Sequence, residues 1–91
     1  MISKEFEVTL GQALKEARER RHEYLCNEHV LFAMLHDRLG SEILRACGGN
    51  LAHLERQLEE FFREELEAVP EGEDLVLQQT PSFERLIERA I

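Results

Sequence analysis

Tryptophan is absent from this 91-residue chain, tyrosine occurs once, and there are only two prolines and two cysteines. Two cysteines, Cys26 and Cys47, cannot supply the several bridges that staple a small secreted domain, so reduced thiols among packed apolar side chains are expected. Positive charge is scarce: 11 Lys and Arg stand against 19 Asp and Glu, a net charge of −8. That balance argues against binding a phosphate backbone, which takes clustered basic side chains. No apolar run approaches the roughly 20 residues that span a bilayer. Residues 1–9 carry Glu5 and Glu7 where a signal peptide has an apolar stretch. A single small, soluble, cytoplasmic domain is expected. The chain also has no Gly-rich phosphate loop and no serine beside a plausible base, so no catalytic residue and no cofactor are expected.

What is present is helical periodicity. Hydrophobic residues make up 43% of the chain, and between the breakers they recur every three or four positions. Leu10, Ala13, Leu14, Ala17 and Tyr24 outline a first helix with Thr9 as its N-cap and residues 16–23 as a charged outer face. A second helix opens near Cys26 and Asn27, buries Val30, Leu31, Ala33, Met34 and Leu35, and stops at Gly40. Ser41 then caps a short third helix, 42–47, with Ile43, Leu44 and Cys47 inward; Gly48 and Gly49 end it. Asn50 caps a fourth, whose stripe reads Leu51, Leu54, Leu58, Phe61, Phe62 and Leu66. Residues 67–79 form an acidic loop around Pro70 and Gly72, with Leu75, Val76 and Leu77 able to rest on the core. Thr80 and Pro81 start a fifth helix as N-cap and first residue, followed by Phe83, Leu86, Ile87, Ala90 and Ile91.

The fold class is therefore all-α. Residues 10–17 and 83–90 share one pattern of apolar and charged positions, and the last stripe runs to Ile91 without a cap. The expected organisation is a four-helix unit over 1–66, the acidic loop over 67–79, and over 80–91 the opening helix of a second pseudo-symmetric copy. With its partner helices absent, that fifth helix should leave Phe83, Leu86, Ile87 and Ile91 uncovered. It would then fray beyond Ser82 or pair with a second chain as a dimer.

The histidines do not make a metal site. His22-Glu23-Tyr24-Leu25-Cys26 has the first half of a zinc-protease helix motif, but Cys26 stands where the second His belongs and no third ligand is placed. A looser group of His22, Cys26 and His29 could take zinc only adventitiously. His29 is expected to be partly buried and bonded to a backbone group, His36 to be solvated, and Glu28 to favour the positive start of the second helix.

The run from Ala17 through Arg21-His22-Glu23-Tyr24-Leu25, then Glu28-His29-Val30-Leu31-Phe32-Ala33-Met34-Leu35, resembles the Clp N-terminal domains of ClpA-type AAA+ unfoldases. The likeness continues through Leu44 to Cys47, Leu51 to Phe61 and Thr80 to Arg85. It implies an all-helical, non-catalytic domain mounted on a hexameric ATPase that works with the ClpP protease. It also implies a role in receiving substrates and docking the adaptor ClpS. By position, the adaptor-contacting residues it implies are Glu23 and Thr80. One departure is Cys26, where relatives usually carry a Thr cap; another is the short length, one repeat and one further helix. The alternative reading is a free-standing single-repeat helical interaction protein that self-associates. A metal-dependent enzyme is disfavoured by the ligand spacing.

Overall fold

The computed structural model describes residues 3–90. Five helices run in chain order: α1 (Lys4–Glu19), α2 (Asn27–Leu35), α3 (Arg38–Ala46), α4 (Leu51–Glu64) and α5 (Pro81–Ala90). Two short strands, β1 (Tyr24–Leu25) and β2 (Gln78–Gln79), pair in parallel with Tyr24 opposite Gln78 and Leu25 opposite Gln79.

α2 is the central element, and its composition says why. Val30 through Leu35 is apolar without a break, the pattern of a helix covered on more than one side. Val30 and Ala33 face a cluster with Ala13 and Ala17 of α1, Leu25, and Phe83 of α5. Phe32 faces a second cluster with Leu58 and Phe62 of α4. The two alanines of α1 are fully buried, and their small side chains let α1 lie close against α2.

Several helix boundaries differ from the sequence reading. α1 starts at Lys4, capped by the Ser3 hydroxyl, which accepts from the Phe6 N–H. Thr9 is thus no cap; it sits buried inside the helix and donates its hydroxyl to the Glu5 carbonyl. At the other end α1 closes at Glu19, so Tyr24 lies on β1 and is 40% exposed instead of joining the helix stripe. Part of the charged run is drawn inward. Arg20 donates to Glu16 and, bidentately, to Glu59 of α4, and its guanidinium lies over the rings of Phe32 and Phe62.

Gly40 does not end α2. It lies inside α3, which Asp37 caps through the Gly40 N–H, while Ser41 hydrogen-bonds back to the Arg38 carbonyl. A Cβ at Gly40 would stand 2.7 Å from the Met34 carbonyl oxygen, so the glycine is required by the close approach of α3 to the end of α2. Ile43 is 48% exposed and Cys47 is exposed, so neither turns inward as expected. Gly48 and Gly49 do end α3, with Gly48 at φ 86°. Asn50 caps α4 through the His53 N–H.

α5 is packed, not loose. Phe83 is 3% exposed within the first cluster, and Leu86 and Ile87 lean on it. The uncovered stripe on which fraying or a dimer was expected is therefore largely covered by α1, α2 and β1. Ile91 and the side chain of Ala90 lie outside the described residues. Leu77 also rests on this cluster, whereas Val76 is 70% exposed.

Candidate functional site

The link between α1 and α2, residues 20–26, is where the chemistry of this chain gathers. α1 ends with two reverse hydrogen bonds, His22 N to Ala17 O at 2.9 Å and Arg21 N to Arg18 O at 3.0 Å. This is the closing turn in which the residue past the cap adopts left-handed backbone, the place glycine favours. Arg21 occupies it, at φ 54°. A non-glycine residue there costs about 1 kcal/mol. α3 ends in the same way with Gly48 in that position.

From this turn the chain receives both ends of the acidic loop. Val69 N donates to Arg21 O at 2.7 Å and Glu23 N to Glu67 O at 3.2 Å, which holds the loop's beginning. Gln78 N donates to Glu23 O at 3.0 Å and Thr80 N to Leu25 O at 3.1 Å, which holds its end. The Arg21 side chain adds three bonds to backbone carbonyls: Nε to Val69 at 3.0 Å, Nη2 to Pro70 at 3.1 Å, and Nη2 to Glu73.

Glu23 and Thr80, 57 positions apart in the chain, are thereby brought to two hydrogen-bonded segments of one small platform. The Glu23 side chain is half-buried, and Tyr24 beside it points outward. Thr80 caps α5 as expected: its Oγ1 accepts from the Phe83 N–H at 3.1 Å. That use occupies a hydroxyl lone pair and leaves the methyl free for other contacts.

Beneath the platform lies a polar chain in an apolar setting. Cys26 N donates to Nδ1 of the fully buried His29 at 3.0 Å, so His29 is bonded to a backbone group as expected. Here His29 supplies the reciprocal half of the helix cap at the start of α2. His29 Nε2 lies 2.8 Å from His22 Nδ1. The His29 ring stacks on Phe62 with centroids 4.9 Å apart. Burial, with His22 and Arg20 adding to it, pushes the His29 pKa down to about 4, and burial lowers His22 as well. Burial likewise pushes the Cys26 thiol up to about 11, away from thiolate reactivity. With both His29 nitrogens engaged inside the protein, this trio has no convergent lone pairs for a metal, and the described residues hold no group of three or more His, Cys, Asp or Glu so disposed. His36 is solvated and pairs with Glu55 at 3.0 Å.

The strands, the loop's attachment and the Arg21 bonds were missed by periodicity, since two-residue strands carry no readable alternation. The comparisons with known proteins cover the whole chain. The Clp repeat (R) N-terminal domain pattern matches residues 1–91. The chain belongs to the Clp N-terminal domain family. A relative described as a "ClpA homolog protein", from Fuscovulum blasticum, is 32% identical over 92 residues, an alignment that takes in 98% of this chain and 11% of the relative. This Clp N-domain thus spans about a tenth of the length of that relative. The family is one of non-catalytic N-terminal domains, and no helix among the described residues is long and apolar enough to cross a membrane.

Proposed function

We propose that this chain is the adaptor- and substrate-docking N-domain of a ClpA-like ATPase, which acts in the cytoplasm as a hexamer with the ClpP protease. In this reading ClpS binds over the platform, with Glu23 accepting a hydrogen bond or ion pair and the Thr80 methyl packing alongside. The observation that carries it is the pairing of β1 with β2, which joins the segments of Glu23 and Thr80 although the sequence holds them far apart. Nothing in the polar chain below the platform offers a nucleophile, an exposed base or a metal seat, which favours recognition over chemistry.

Calorimetric titration of the chain with ClpS tests this. Binding is expected, and Glu23→Lys should weaken it by about 1–3 kcal/mol, because a charged partner is lost and a repulsive one introduced. An unchanged affinity in Glu23→Lys removes Glu23 from the surface, and no binding by the unaltered chain removes the reading.

A further inference from the structure

Arg21 combines two features that a merely solvated arginine lacks. Its backbone holds the left-handed position that closes α1, where glycine would be unstrained. Its guanidinium, meanwhile, donates to the carbonyls of Val69, Pro70 and Glu73, although acidic side chains at Glu67, Glu71, Glu73 and Asp74 belong to the same loop. A planar fork directed at three carbonyls fixes the course of a backbone, which a carboxylate ion pair would not do. The strand pair it precedes is only two residues long, too short to hold its register unaided.

We propose that Arg21 is a positioning residue of the docking surface. By gathering residues 69–73 against the end of α1, it shortens the free loop ahead of β2 and sets where Thr80 stands relative to Glu23. This rests on the docking reading given above for the choice of partner, but its structural half stands alone. The competing influence is Phe83, whose burial anchors α5 from the other side. Phe83 fixes where α5 lies, and the Thr80 cap on its N–H ties Thr80 to that helix; the path by which the chain enters β2 is left to the loop.

Two variants of the full chain separate the possibilities. Arg21→Gly removes the guanidinium while giving the left-handed position the residue it favours, so the fold should survive. Arg21→Lys keeps the charge but cannot reach three carbonyls at once. In both, amide hydrogen exchange at Val69, Gln78 and Thr80 should rise by about tenfold or more, with the interior of α4 unchanged, because only the loop is released. The dissociation constant for ClpS should rise roughly five- to tenfold in both, since the docking-competent arrangement becomes a fraction of the population. Leu58→Ala, which weakens the core away from the platform, should leave that constant unaltered and so distinguishes positioning from general destabilisation. Slow exchange at Gln78 and Thr80 in Arg21→Gly would overturn the proposal, as would full recovery of both readouts in Arg21→Lys. Fast exchange with unchanged ClpS affinity would also overturn the positioning role while leaving the docking reading intact. If the unaltered chain does not bind ClpS, the docking reading fails and the exchange rates alone decide whether Arg21 sets the platform.

Discussion

His29 donates its Nε2 proton to Nδ1 of His22 across 2.8 Å. The direction follows from the other nitrogen: Nδ1 of His29 accepts from the Cys26 N–H, a pure donor, so the proton of the neutral ring sits on Nε2. Protonating either ring breaks this order, since an imidazolium has donors only. The groups around the pair act unequally, with Arg20 opposing protonation of both rings and Glu16 favouring it at His22.

Stability should therefore depend on pH in a defined window. The folded-state pKa of His29 lies near 4, below the ordinary value of 6.5. A base depressed on folding contributes its full stability above about pH 6.5 and loses it as pH falls toward 4, because the unfolded chain binds the proton more readily. The loss from His29 should be about 2 kcal/mol by pH 5. Urea titrations at pH 7 and pH 5 measure it. His29→Gln should be less stable at pH 7 yet flatter across this window, and an equally steep loss in that variant would place its origin elsewhere.

Two glycine substitutions should have opposite signs. Gly40→Ala drives a Cβ to 2.7 Å from the Met34 carbonyl oxygen and 2.9 Å from the Met34 Cα, both backbone atoms, and should cost about 1–3 kcal/mol. Gly11→Ala lies mid-helix in α1 with nothing within 4 Å of the new Cβ, and should stabilise by about 0.5–1 kcal/mol. Thermal melting of the two variants suffices. A neutral Gly40→Ala would mean that α2 and α3 can separate freely.

Phe62 is the packing centre of the second cluster, 2% exposed, against His29, His22 and Phe32 and under the Arg20 guanidinium. Phe62→Ala should destabilise by about 3–5 kcal/mol. Leu58→Ala, beside it, should cost about 2–4 kcal/mol. Denaturant midpoints within experimental error of the unaltered protein would contradict this arrangement of α4.

Thr80 permits its two roles to be separated. Thr80→Ala removes the cap on α5 and should cost about 1 kcal/mol, whereas Thr80→Ser keeps the hydroxyl and should fold nearly as stably. If the methyl contacts ClpS, both variants bind it more weakly by a similar factor. Should Thr80→Ser bind ClpS normally, Thr80 is a cap alone.

The caps and periodic stripes of the sequence were legible because they are local. Asn50 before Leu51 and Thr80 before Pro81 each satisfy backbone donors within three residues, whatever the rest of the chain does. The start of α1 was misread for an equally local reason: Ser3 and Thr9 are both competent caps, and only the first is followed by the turn that uses it. Gly40 was misread because a glycine demanded by left-handed backbone and one demanded by close approach look identical in sequence.

The sequence by itself determined five amphipathic or apolar helices, an acidic loop and the pattern that marks a Clp N-domain, since each depends on residue type and short spacing. Only the tertiary structure decided what lies between the helices. That the Arg21 guanidinium gathers the carbonyls of Val69, Pro70 and Glu73, and that Phe83 packs into the cluster of Ala13, Ala17 and Leu25, both depend on groups 48 to 70 positions apart. Such contacts form because helices already shaped by local preference must bury their apolar faces together. No spacing within a single segment records which faces meet.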